Sequence, residues 1–183
     1  MKIGFLGPRG TYSHQAALQV FGLTKDPVWA PFDTITSVFQ STDACQVDVG
    51  VVPYENTIVG RIGETTRALQ HFADISATEH VRLAIQHCLL SQQSDYHDLK
   101  KIYSHSEAIN QCRHWLSLYC PEAQLMAVQS TAAAAELATQ QPYTAAIASR
   151  FCTTLYPALQ VLAEGIQDQL DNFTTFIVIR RSQ

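Results

Sequence analysis

The sequence predicts an α/β fold, on three observations. Short apolar runs alternate with stretches of helical periodicity over most of the 183 residues. Several of those runs end in polar loops rich in Gly, Ser, Thr and Asn, as strands do when they deliver a loop onto a helix. No apolar stretch approaches the roughly 18 residues that a membrane span requires.

The elements follow in order. Ile3–Leu6 reads as a strand, followed by the turn Gly7-Pro8-Arg9-Gly10, the cluster Thr11-Tyr12-Ser13, and a helix over Ser13–Phe21 with Ser13 as its cap. Helix N-termini bind anions because unpaired N–H groups and the helix dipole point at the ligand, and Gly7 and Gly10 let the backbone approach closely. The spacing is neither a dinucleotide fingerprint nor a P-loop. A helix over Thr36–Ser41 precedes the strand Val47–Val52, which opens into Pro53-Tyr54-Glu55-Asn56-Thr57, and Glu64–Phe72 is helical again. Val81–Leu90 is a long apolar stretch placed as a crossing segment between two lobes. The strand Ile102–Ser104 runs into His105-Ser106 and a helix over Glu107–Tyr119. The strand Leu125–Gln129 runs into Ser130-Thr131 and a helix over Ala132–Thr139, whose alanines signal close packing. Strand Ala145–Ala148, helix Arg150–Tyr156 and strand Phe176–Arg180 complete the chain. Such alternation predicts parallel strands with ligands bound at their carboxyl ends.

Composition narrows the classes. Hydrophobic residues make up 46% and charged residues only 15%, as in a globular protein with a real core. Net charge is -4 and no Lys/Arg cluster occurs, which argues against nucleic acid as partner; no segment suits a membrane. Met1-Lys2 runs straight into a strand, with no secretory leader pattern, so a cytoplasmic location is expected. The five cysteines are odd in number and scattered without CxxC, so neither a disulfide framework nor a metal site is expected.

Four polar loops of Ser, Thr, Asn and backbone N–H groups, with Arg9, His14, Arg61, His105 and Arg150 near them, suit a small substrate carrying carboxylates. Glu55 is the odd member: it would repel an anion unless protonated or hydrogen-bonded, and is either a general acid, a holder of Asn56, or a solvated loop residue. His14 and His105 read as cap neighbours first and proton-transfer groups second.

The motifs, taken together, resemble the catalytic domain of the prephenate dehydratase family along nearly the whole chain. Gly7 to Ala17 is similar to the family's opening motif, and Val52-Pro53-Tyr54-Glu55-Asn56-Thr57 with Gly60 to its Glu-Asn-Ser/Thr segment. Tyr103-Ser104-His105 with Gln111-Cys112 resembles a third, with Ser106 at the family's proline position. Ser130 to Ala134, Ala145 to Ser149 and Ile166-Gln167-Asp168 resemble further segments. Asn172-Phe173-Thr174-Thr175-Phe176 stands where the family carries Asn-x-Thr-Arg-Phe. The resemblance implies two intertwined α/β lobes of periplasmic-binding-protein-like (type II) topology with a cleft between them, approximately 1–78 with 170–183 and 79–169. It further implies a homodimer and a lyase acting on prephenate without metal or organic cofactor. Thr174, Glu55, Asn56 and His105 are then the catalytic candidates. Gly10, Thr11, Ser13, Thr57, Ser104, Ser130, Thr131, Thr175 and Phe176 are the substrate-binding ones.

Two departures shape the functional expectation. Thr175 replaces the family's arginine, removing a multi-donor cation. The sequence given stops at Gln183, where the family usually continues into an ACT regulatory domain, so feedback by phenylalanine is not expected. Both fit a branch of the family that decarboxylates prephenate without aromatisation, to a dihydro-4-hydroxyphenylpyruvate of natural-product pathways, and that is the main expectation. Prephenate dehydratase, which also expels the hydroxyl to give phenylpyruvate, is the alternative, and a non-catalytic carboxylate-binding module the minor one.

Overall fold

The computed structural model describes residues 1–182, and the chain divides into two compact units, 1–85 with 171–183 and 86–170. The divide placed from sequence at 78/79 falls inside a strand, β5 (Ile75–Ala84), that lies wholly in the first unit.

The first unit is a mixed sheet in the order β2-β1-β3-β11-β5, with the two-residue β4 (Gly60–Arg61) paired to β3. Strands β1 (Lys2–Leu6), β2 (Val28–Phe32) and β3 (Val49–Asn56) run parallel, whereas β11 (Phe173–Arg181) is antiparallel to both β3 and β5. Helix α1 (Tyr12–Phe21) covers one face; α2 (Ile35–Asp43) and α3 (Gly63–His71) cover the other. Strand alternation shows this along β11, where Phe176 and Val178 pack with Ala16 and Ala17 of α1, and Ile177 and Ile179 with Val38 and Phe39 of α2. Burial on both faces is why the central strands read as continuous apolar runs. At Gly50 the close approach demands glycine: a Cβ there would lie 2.6 Å from Val38 and 2.8 Å from Ile179.

The second unit has the order β10-β6-β9-β7-β8. Strands β7 (Lys101–Ser104), β8 (Gln124–Ala127) and β9 (Thr144–Ala148) are parallel; β6 (Cys88–Ser91) and β10 (Gln160–Glu164) are antiparallel to their neighbours. Ala146 and Ala148 face the alanines of α6 (Thr131–Gln140), and Ala145 and Ile147 face α4 (Ser106–Gln111) and α5 (Arg113–Tyr119). The alanine run of α6 is thus close packing. The short α7 (Cys152–Leu155) follows β9.

Several sequence expectations give way. The sheets are mixed, not all parallel, because an apolar run reports burial and not strand direction. Val81–Leu90 does cross from one unit to the other, at Ile85 and Gln86, but it is not the single strand its apolar run suggests: it holds the end of β5 and most of β6, in different sheets. The helix placed over Glu107–Tyr119 breaks at Cys112 (φ -112°, ψ 11°) into α4 and α5. Strands β2 and β10 are half-exposed edges absent from the sequence expectation: Pro31 interrupts the apolar run Val28–Phe32, and only the three residues 161–163 of β10 are apolar; Pro31 is tolerated in β2 because that strand pairs on one side only.

Candidate functional site

The carboxyl ends of β1, β3 and β5 and the amino end of β11 form one rim of the first sheet, where an α/β fold presents its ligand groups. Cross-strand register sets what meets there. Asn56 lies opposite Thr174, and Glu55 opposite Thr175. Adjacent residues of a strand point to opposite faces, so the register places Asn56 with Thr174 on one face and Glu55 with Thr175 on the other.

Asn56 is buried and organises its neighbours. Its Oδ1 accepts from the backbone N–H of Ile58 at 2.9 Å and of Val59 at 3.1 Å, which fixes the amide orientation. Its Nδ2 therefore faces β11, 2.8 Å from Asn172 Oδ1, 2.9 Å from Thr174 Oγ1 and 3.1 Å from the Phe173 carbonyl. Thr174, 8% exposed, accepts this bond, and its own proton goes to no acceptor among the described residues. A hydroxyl that accepts from an amide and keeps its proton is oriented to donate to a ligand. Asn172, 1% exposed, is the supporting residue that the candidate set omitted; its place in the Asn172-Phe173-Thr174 run was the available signal.

The remaining candidates of this unit fall into place differently. Thr57 donates to the Asp171 carbonyl at 3.0 Å and accepts from Phe173 N–H at 2.9 Å, so it clamps the segment leading into β11. Glu55 is exposed and, at the β3–β4 hairpin, sits in register with Arg61, whose Nη1 donates instead to the Tyr54 hydroxyl. Phe176 is a core residue packed among Phe5, Val51 and Val81. Thr175 is half-buried, between Glu55 on β3 and Arg82 on β5.

At the β1 end of the rim, Thr11 and not Ser13 caps α1. Its Oγ1 accepts from His14 N–H at 3.3 Å and donates to the Leu6 carbonyl at 2.9 Å; Ser13 is buried within the first turn. Gly10 takes φ 97°, a region glycine enters freely, and its N–H donates to His14 Nδ1 at 3.2 Å. His14 is buried, stacked on Phe5 at 4.6 Å and edge-on to Trp29 at 5.7 Å. Burial, with the neighbouring Arg9 cation, lowers its pKa to about 4. A neutral His14 that accepts from Gly10 is a holder of this loop.

In the second unit the carboxyl ends of the parallel β7, β8 and β9 make a corresponding rim. Ser104 is fully buried and donates to the Ile147 carbonyl at 2.7 Å, tying β7 to β9. His105 is itself the cap of α4, Nδ1 accepting from Glu107 N–H at 3.3 Å. Ser130 caps α6 through Ala133 N–H at 3.0 Å, and Thr131 opens that helix half-buried. Arg150 is ion-paired with Glu164. The Gln111 and Gln167 motifs meet at His87: Gln111 Oε1 is 3.0 Å from His87 Nε2, and Gln167 Oε1 accepts from His87 N–H at 2.9 Å. They hold together the segments beside the ends of this unit.

Among the described residues no group of three or more His, Cys, Asp or Glu side chains is placed to hold a metal ion. Burial pushes the thiols of Cys112, Cys120 and Cys152 up to about 12, 11 and 11, so they are unreactive core groups. A depression of about 630 Å³ on α2 and α3, lined by Thr36, Glu64, Arg67 and His71 among others, contains none of the candidates. No described helix is long and apolar enough to cross a membrane.

Comparison with known proteins agrees with this layout. A family model described as prephenate dehydratase matches residues 3–183. A bifunctional chorismate mutase/prephenate dehydratase from Aquifex aeolicus is 38% identical over 181 residues, covering 99% of this chain and 49% of that protein. A crystal structure of a prephenate dehydratase from Arthrobacter aurescens, in complex with L-Phe, superposes with a TM-score of 0.90 at 31% identity, covering 100% of this chain and 61% of that one. The chain belongs to the prephenate dehydratase family, and it spans about half the length of the curated relative. A nutrient binding protein from Burkholderia cenocepacia, bound to methionine, matches with a TM-score of 0.50 at 12% identity and shows the fold alone. The fold is thus α/β with two mixed sheets, of the periplasmic-binding-protein-like (type II) class.

Proposed function

We propose that this chain is the catalytic part of a prephenate dehydratase, converting prephenate to phenylpyruvate, carbon dioxide and water, in aromatic amino acid biosynthesis. The family match and the relatives' named activities support it over the non-aromatising decarboxylase that the sequence favoured. The observation that carries it is the Thr174 hydroxyl, which accepts from Asn56 and keeps its own proton. In the reaction the ring C–C bond to the departing carboxylate breaks and its electron pair enters the ring as it becomes aromatic. The C4–O bond breaks at the far side, and the oxygen leaves as water only if a proton is supplied. Thr174 donates a hydrogen bond to that oxygen as negative charge develops on it, and one proton is taken up overall. The test is phenylpyruvate formation by the protein and by Thr174→Val, which keeps the shape and removes the proton.

One observation favours a second reading. Thr175 stands where the resemblance places an arginine, so the rim lacks that cation and departure of the hydroxyl has less support. Decarboxylation with the hydroxyl retained would then predominate, and Thr175→Arg should move product toward phenylpyruvate. A homodimer, inferred from the family resemblance, and a reducing cytoplasmic compartment, supported by five cysteines that form no disulfide, complete the reading. Light scattering tests the dimer.

A further inference from the structure

On the Glu55 face of the first sheet, four side chains stand in one row across four strands: Arg61 on β4, Glu55 on β3, Thr175 on β11 and Arg82 on β5. Arg61 is occupied by the Tyr54 hydroxyl, 2.6 Å away, and its guanidinium lies 5.0 Å from the Tyr54 ring centroid. Arg82 differs. It is exposed, has no carboxylate or hydrogen-bond partner among the described residues, and yet is held in place by the Phe173 ring, 4.2 Å below its guanidinium. Two further cations of this unit are paired: Arg180 lies 4.0 Å from Glu79, and Arg181 lies 3.5 Å from Asp74. Arg9, on the same rim, has no ring to stack on.

Stacking on Phe173 carries the Arg82 guanidinium from the Thr175 row toward the end of the sheet, where the two faces of β11 meet at the rim that Thr174 borders from the other side. The short Thr175 side chain leaves the fork uncovered. A planar cation with its donors unspent, fixed by an aromatic ring at a ligand-facing rim, is a carboxylate receptor.

We propose that Arg82 binds the substrate's retained carboxylate, the one on the pyruvyl side chain. This rests on the reading of the chain as a prephenate-converting enzyme, with or without loss of the hydroxyl. The choice between the two carboxylates follows from chemistry. A guanidinium on the carboxylate that leaves as carbon dioxide would stabilise the ground state and oppose its departure, whereas the pyruvyl carboxylate keeps its charge from substrate to product. Binding that is equal in ground and transition states appears in KM and not in kcat. The product carries the same group, so its affinity must change in parallel.

The experiment is steady-state turnover of prephenate by the unaltered protein, Arg82→Gln and Arg82→Lys, with phenylpyruvate as added inhibitor. Arg82 is exposed, so neither substitution removes core packing. Arg82→Gln should raise KM and the phenylpyruvate inhibition constant together, on the order of tenfold to a hundredfold, with kcat within about threefold. Arg82→Lys should fall between, keeping charge without the fork. An unchanged KM and inhibition constant in Arg82→Gln, or a fall in kcat alone, would overturn the assignment while leaving the enzymatic reading in place. No turnover by the unaltered protein would remove that reading and this assignment together.

Discussion

Asn56 donates from Nδ2 to the Thr174 hydroxyl at 2.9 Å, and that bond joins the end of β3 to the start of β11 across 118 positions of sequence. Because Asn56 Oδ1 is already engaged by two backbone N–H groups, the amide cannot turn round, and Thr174 is left as acceptor from Asn56 with its own proton given to no acceptor among the described residues.

Thr174→Val should lower kcat for phenylpyruvate formation by about 10²- to 10⁴-fold, the range spanned by a positioned proton donor, while Thr174→Ser retains most activity. Both are read from initial rates at saturating prephenate.

Asn56→Asp keeps the size of the side chain but replaces the donor with an acceptor. Thr174 would then spend its proton on the new carboxylate. Activity should fall as in Thr174→Val, and denaturant unfolding should show a loss of about 1–3 kcal/mol for the disrupted buried network.

The state of His14 sets a pH dependence. Its folded pKa is about 4 against 6.5 as a free group, so the unfolded chain takes up the proton first. Stability from this residue is complete above pH 6.5 and is lost as pH falls from 6.5 toward 4, by up to about 1.4 kcal/mol per pH unit. His87, lowered mainly by burial, acts in the same direction. His14→Phe should flatten the decline of Tm between neutral and mildly acidic pH.

Two local features can be tested through stability alone. Ser130→Ala removes the cap of α6 and should cost about 1 kcal/mol, with Ser130→Asn close to neutral. Gly50→Ala forces a methyl group against Val38, Ile179 and Thr42 and should cost about 1–3 kcal/mol. Urea midpoints measure both.

The central strands and the main helices were legible because burial on two faces and amphipathic periodicity are written into local sequence; β1, β3, β9 and α6 are examples. Edge strands β2 and β10 were not: Pro31 within Val28–Phe32 reads as a strand breaker, and β10 offers only three apolar residues between Gln160 and Glu164. The antiparallel course of β11 was hidden because direction depends on where the chain returns from. At the site, Asn56 and Thr174 were legible through their motifs. Their opposition across two strands, and the placement of Glu55 with Thr175 on the other face, depend on a register that the bulge between Thr175 and Phe176 shifts by one residue. Thr11, Thr57 and Ser104 read as ligand groups from their polarity, and the structure gives each hydroxyl a backbone partner.

The most direct test is to incubate the protein with prephenate at neutral pH and follow carbon dioxide and phenylpyruvate together. The account predicts equal amounts of the two, with Thr174→Val producing little of either. Carbon dioxide without phenylpyruvate, and a product that retains the hydroxyl by mass, would contradict it.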